Sequence, residues 1–340
     1  MSKRTKFGKE ALNIMIRITF LVEENCMSST IAGSIDAFSV ANLWRRMLDS
    51  KVTEDLFAFR IVTADGLPVT ANGGLLLQPH SSISEVADTD IIVIPAMFFP
   101  YQILPERMEK IGQWVKSRHK NGSLIASSCT GTFLLADMGL LDGKIATTNW
   151  QLAGWFRDMY PSVNLKIERI FTEDSGIYCA GAATAFFDLC LHFISKFGSR
   201  ELYARCSRAL LVDPDRKSQA PYILYDFWKK HADEPILNIQ KWMEDHFAEN
   251  ISIDNLAGKA GISPRHFNRR FKKATGETPL AYLQLLRIEN AKRKLETTRD
   301  NISDITWNVG YEDIHSFRRL FKKYTGLSPR EYRNKFAIMP

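Results

Sequence analysis

From residue 14 to about residue 212 the chain alternates short, continuously apolar runs with longer stretches whose apolar positions recur at helical spacing. Residues 14–22, 57–62, 90–95, 123–127 and 177–180 predict strands. Within 90–95 the segment Ile91-Ile-Val-Ile94 has no polar position, the pattern of a strand covered on both faces in the middle of a parallel sheet. Residues 28–44, 105–120, a stretch opening near Thr130 and residues 183–197 predict the intervening helices. Alternation of this length predicts an α/β doubly wound layer with helices on both sheet faces.

Residues 213–221 are polar and interrupted by Pro214 and Pro221, which marks a boundary, and the break extends to Pro235. After Ile236 the spacing is helical throughout: 253–259, a helix opened by Ser263-Pro264 as N-cap and first-turn proline, 279–295 and 302–308. Gly261 suits the corner of a helix-turn-helix, and Gly276 and Gly326 stop two helices at matching places. The expected organisation is a front domain over 1–212, a linker over 213–235 and a helical domain over 236–340.

The helical third contains a near-repeat. Residues 267–282 (FNRRFKKATGETPLAY) return as 317–332 (FRRLFKKYTGLSPREY), identical at nine of sixteen positions. Repetition at a fixed offset means one structural unit used twice. In the first copy Arg265, Asn268, Arg269 and Lys272 share one side of a helix, while Phe267, Phe271 and Ala274 lie on the other. In the second copy His315, Arg318, Arg319 and Lys322 form the polar stripe over Phe317, Phe321 and Tyr324. Arg, Asn and His can reach base edges and phosphates in a major groove, whereas a single basic stripe could equally be a solvated face. Two matched copies favour two helix-turn-helix units on double-stranded DNA.

Charge sharpens this reading. The net charge is +7; residues 236–340 hold nineteen Lys and Arg against twelve Asp and Glu, leaving twenty-six of each in the remainder. The whole excess therefore belongs to the segment with the repeat. Residues 12–22 are apolar but contain Arg17 and no small-residue cleavage site, so they read as a buried strand rather than a signal or membrane span. Five cysteines without CxxC pairing suit a reducing cytoplasm, and seven histidines without ligand spacing argue against a metal. No cofactor is expected.

Residues 236–336 resemble the DNA-binding domain of the AraC/XylS family, on residues 253–271 (IDNLAGKAGISPRHFNRRF), 305–311 (ITWNVGY) and 317–332. That resemblance implies a transcription regulator with two recognition helices in successive major grooves. Carried over position by position, Arg265, Asn268, Arg269, His315, Ser316, Arg318 and Arg319 face bases, and Lys272, Lys273, Lys322 and Lys323 contact phosphates. The front part resembles the class I glutamine amidotransferase-like (PfpI-type) superfamily, on the strand 91–95, the elbow 126–131 (ASSCTG), 139–150 (GLLDGKIATTNW) and 181–190 (GAATAFFDLC). It implies a flavodoxin-like layer fold with a strand-to-helix elbow at Cys129.

A nucleophilic cysteine needs a base within reach. The superfamily usually supplies histidine where this chain has Asn149, which takes up no proton at neutral pH. Glu23 and Glu24 follow the first strand without a firm assignment. A helix N-terminus would favour a Cys129 thiolate, but a cysteine hydrolase fused to a DNA-binding module is only the alternative. The leading expectation is a cytoplasmic, ligand-responsive regulator, an activator, that is not an enzyme. It would form a homodimer and engage DNA, a small-molecule effector and RNA polymerase. The expected ligand residues are Cys129, Thr130, Asn149, Trp150, Phe98 and Phe99, with amino-acid-derived compounds or quaternary amines as the effector class. The other readings are an inert elbow, ordinary packing of the aromatics, a redox role for Cys129, and a ligandless DNA-binding protein.

Overall fold

The strands in chain order are β1 (Ile16–Leu21), β2 (Phe57–Thr63), the hairpin β3 and β4 (Val69–Thr70, Leu76–Leu77), β5 (Ser81–Ser82), β6 (Ile91–Ile94), β7 (Leu124–Ser128), β8 (Ile145–Ala146), β9 (Asn164–Leu165), β10 (Phe171–Asp174) and β11 (Ile177–Ala180). These belong to the first of two units in the computed structural model, which divide between Gln219 and Ala220. The structure describes residues 15–338 apart from residues 99, 215, 217, 226, 228 and 230; residue 14 of the first expected strand lies outside them.

Seven strands form one sheet in the order β10-β11-β7-β6-β1-β2-β5. Every pairing is parallel except β10 with β11. β6 is buried at all four positions, as its uninterrupted apolar run requires. The chain winds outward from β1 through β2 in one direction and from β6 through β7 in the other, so the order reverses between β1 and β6. A doubly wound sheet opens its crevice there, at the carboxyl ends of the strands.

The helices of this unit are α1 (Ser28–Leu48), α2 (Pro105–Lys120), α3 (Gly131–Asp137), α4 (Ala153–Met159), α5 (Ala185–Phe197) and α6 (Arg200–Ala209). α1 packs on α5 and α6. It is stitched to the sheet by buried Asn42, whose Oδ1 accepts from the N–H of Leu56 (3.0 Å) and Phe57 (2.9 Å) and whose Nδ2 donates to the Phe57 carbonyl (2.8 Å). α1 outruns its expected end at Trp44 by a turn. α5 starts two residues late, because Ala183 takes a left-handed backbone (φ +43°) and Thr184 becomes the N-cap.

The second unit contains α7 (Glu234–His246), α8 (Ile253–Lys259), α9 (Pro264–Thr275), α10 (Pro279–Thr297), α11 (Ile302–Asn308), α12 (Ile314–Thr325) and α13 (Pro329–Phe336). Ser263, Thr278 and Ser328 each cap a helix with a proline in its first turn. Pro235, expected to close the linker, lies in the first turn of α7 behind the N-cap Asp233. Gly276 and Gly326 end α9 and α12 in the left-handed region.

Two apolar cores hold this unit. The first gathers Ile236, Leu256, Phe267, Phe271, Tyr282 and Leu286, and the second Ile288, Leu295, Ile305, Phe317, Phe321 and Tyr332. α10 supplies both, its first half to one and its second half to the other. At the second corner Gly310 has φ +86°, and a Cβ there would lie 2.5 Å from the Ala248 carbonyl oxygen. Only glycine fits that approach.

Candidate functional site

At the end of β7 the chain turns sharply into α3, and Cys129 sits on the turn with φ +53°. A non-glycine residue held there stores strain of about 1–3 kcal/mol, which the surroundings must enforce. The Cys129 N–H donates to the Ala180 carbonyl (2.9 Å), and its carbonyl accepts from Thr148 Oγ1 (2.7 Å). Gly131 lies so close to the end of β6 that a Cβ would come within 2.5 Å of the Pro95 carbonyl oxygen. Thr130 Oγ1 accepts from the Met97 N–H (2.8 Å) and donates to the Met97 carbonyl, clamping the segment after β6 to the elbow.

Cys129 is buried, with 6% of the residue exposed. Burial pushes it up from the ordinary thiol range; the N–H groups of Thr130 and Ala183 and the side chains of Thr130 and Asn149 face the sulfur and oppose that shift without cancelling it. The expected thiolate preference is therefore corrected. α3 has only seven residues, and desolvation outweighs its N-terminus. None of the groups near the sulfur, Thr130, Asn149 and the Ala183 N–H, takes up a proton at neutral pH. The arrangement presents polar hydrogen atoms to an acceptor and does not activate a nucleophile.

The fold brings Cys129, Thr130 and Asn149 together. Asn149 Oδ1 also accepts from the Gln151 N–H (3.0 Å), capping a short turn that begins at half-buried Trp150. Phe98 adjoins the clamped Met97 and is 46% exposed; Phe99 lies outside the described residues. Glu23, at the carboxyl end of β1, is 4% exposed. Its Oε2 accepts from Arg107 Nε (2.6 Å), and Arg107 Nη1 donates to Asp65 (2.5 Å). Glu23 Oε1 is buried without a hydrogen-bond partner among the described residues. Burial pushes this carboxyl up, against the pull of Arg107. The sequence left Glu23 without an assignment, because its tie to α2 through Arg107 joins positions 84 residues apart.

On α9, Arg265, Asn268, Arg269, Lys272 and Lys273 are exposed above buried Phe267 and Phe271. On α12, His315, Arg318, Arg319, Lys322 and Lys323 are exposed above buried Phe317 and Phe321, and Ser316 is half-buried. Asn268 Nδ2 donates to the Pro264 carbonyl (3.0 Å). The N–H groups of His315 and Ser316 donate to the Asp313 carboxylate that caps α12. Arg270, also basic, instead pairs with Asp233 (2.6 Å). Among the described residues there is no cluster of three or more His, Cys, Asp and Glu able to hold a metal, and no helix long and apolar enough to cross a membrane.

Residues 18–196 match the model of the DJ-1/PfpI family, and residues 256–335 match a helix-turn-helix domain. The chain is 25% identical over 318 residues to the HTH-type transcriptional regulator GbdR of Pseudomonas aeruginosa, covering 93% of this chain and 83% of that protein. It is 24% identical over 287 residues to the HTH-type transcriptional regulator CdhR of the same organism, covering 84% and 83%. Among solved structures, an AraC family transcriptional regulator from Pseudomonas putida aligns over 57% of this chain and 99% of its own, with a TM-score of 0.50 and 19% identity, a likeness of fold.

Proposed function

This chain belongs to the DJ-1/PfpI family, and from that premise, with an AraC-type helix-turn-helix domain behind it, we propose a ligand-responsive, sequence-specific DNA-binding transcription regulator. The observation that carries the reading is the pair α9 and α12. Each has phenylalanines buried underneath and arginines exposed above, at equivalent positions of a repeat. α9 and α12 read bases through Arg265, Asn268, Arg269, His315, Ser316, Arg318 and Arg319, with Lys272, Lys273, Lys322 and Lys323 on phosphates. Selection of duplexes from a random pool by the full chain tests this. A bipartite consensus with two half-motifs about one helical turn apart is the expected result, and recovery of unselected sequence refutes it.

The front unit senses a small metabolite in the elbow crevice. Support comes from the buried elbow at Cys129, fixed by the Ala180 carbonyl, Thr148 and the Thr130 clamp, with the N–H groups of Thr130 and Ala183 and the Asn149 amide close to its thiol, a set that suits a carboxylate or carbonyl oxygen. Trp150, Phe98 and Phe99 are assigned to its apolar part. The effector class is amino-acid-derived acids and quaternary amines, and the regulator acts as a homodimeric activator in the cytoplasm with RNA polymerase as partner. Asn149 in place of a base disfavours hydrolysis. A melting screen of the full chain against such compounds tests sensing: an occupant at a hundred times its Kd stabilises by about 2.7 kcal/mol. A panel without any shift removes the sensing function.

A further inference from the structure

The segment read from sequence as a linker is built into the fold on both sides of the unit boundary. On the front side, the loop 181–184 is gripped twice. Gln219 Oε1 accepts from the Ala182 N–H (3.0 Å), and Arg216 donates to Thr184 Oγ1 (2.9 Å) and the Thr184 carbonyl (3.0 Å) while pairing with half-buried Asp188. Between these grips stands Ala183, in the loop that follows Ala180, whose carbonyl accepts from the Cys129 N–H (2.9 Å). Gln219 Nε2 donates to Thr147 Oγ1 (3.1 Å) and the Thr148 carbonyl (3.1 Å), and Thr148 Oγ1 in turn holds the Cys129 carbonyl. Gly181 makes room for this amide, since a Cβ there would lie 2.5 Å from Gln219 Oε1. Gln219, 3% exposed, thus joins both loops that are bonded to the Cys129 backbone, 147–149 through Thr148 and 181–184 next to Ala180.

The next residue, Ala220, belongs to the second unit and is buried. The strap after it lies on the helices that carry the two reading heads. The Tyr222 ring meets Phe336 of α13 edge-on (centroids 5.4 Å apart), with the Lys335 ammonium 5.0 Å from the Tyr222 ring. The Ile223 carbonyl accepts from Lys292 (2.6 Å), a lysine buried in α10 and paired with Glu289. Phe227 packs on Tyr282 near the start of α10 (5.1 Å). The segment therefore reaches both halves of α10, one half for each core.

We propose that Gln219 is a positioning residue coupling the elbow to the DNA-binding unit, with residues 220–225 and 227 as the receiving strap. An occupant that draws on the Ala183 N–H or the Asn149 amide shifts 181–184 or 147–149. The Gln219 amide cannot keep its bonds to both loops unless it moves, and one peptide bond carries that movement into Ala220. The coupling deepens the sensing role proposed above and rests on it for its biological meaning.

The test uses the full chain and a fixed occupant, Cys129→Met, with Thr148→Val as a second perturbation should the first fail to fold. Hydrogen exchange is followed at 127–133 and 181–184 (elbow) and at 220–225 and 227 (strap), with Gln219 intact and with Gln219→Ala. With Gln219 present, the elbow substitution should change strap exchange by about fivefold or more; with Gln219→Ala the strap response should vanish while the elbow response persists. An elbow response without a strap response, or equal strap responses in both backgrounds, overturns the coupling. If the coupling holds while the metabolite screen shows no stabilisation, sensing alone has failed.

Discussion

Arg269 and Arg319 stand fifty positions apart on equivalent turns of α9 and α12, and both guanidinium groups lie at the surface. Replacing either with alanine should weaken binding to the selected duplex by about 1–3 kcal/mol and relax sequence preference in one half-motif. Lys272→Ala should weaken binding to every duplex alike and lower the slope of log affinity against log salt by about one; gel-shift titrations separate the two behaviours. Arg270, beside Arg269, lies outside the expected reading stripe. Its bond to Asp233 ties α9 to the cap of α7, so Arg270→Ala should leave base preference unchanged. Gly310→Ala adds a Cβ against the Ala248 carbonyl at a left-handed position and should cost about 1–3 kcal/mol of unfolding free energy, read by urea denaturation.

α10 is the element on which the second unit depends, because Leu286 and Leu295 face different cores of the same helix. Leu286→Ala should expose amides of 253–275 to exchange, and Leu295→Ala those of 302–325, each at about 2–5 kcal/mol. At this scale much was legible. The strand at 177–180 and the helices at 105–120, 253–259 and 302–308 appear at their expected bounds, because continuous apolar runs and cap residues are local signals. α6 and the antiparallel edge strand β10 were not anticipated, nor was the strap. Gln219 lies in a polar, proline-broken run whose spacing reads as loop, and its partners Thr147 and Thr148 are 72 and 71 positions away. The elbow was legible from its small residues, whereas the rise of its thiol was not, since burial belongs to the assembled layers.

Across the whole molecule, all five cysteines are buried and all lie in the front unit. Burial pushes Cys26 and Cys206 to about 11 and Cys190 to about 12, and raises Cys129 and Cys179 as well. An acid whose folded pKa is raised keeps its proton when the unfolded chain has lost it. The front unit should therefore be at full strength below about pH 8.5 and weaken progressively above it. Denaturation midpoints taken up to about pH 10 check this, and a flat profile would contradict it. The second unit contains none of these thiols and should hold its midpoint to about pH 9, above which its Tyr282, Tyr311, Tyr324 and Tyr332, whose phenols burial pushes up, begin to weaken it in the same sense. Its two heads are instead bound by geometry, through the single rod of α10. Each residue added to an α-helix turns the remainder of the rod by about 100° and advances it by about 1.5 Å. One extra alanine between Leu286 and Ile288 would thus work like a mis-cut crankshaft, leaving both heads intact but out of phase, so that each could grip a duplex that the pair no longer could.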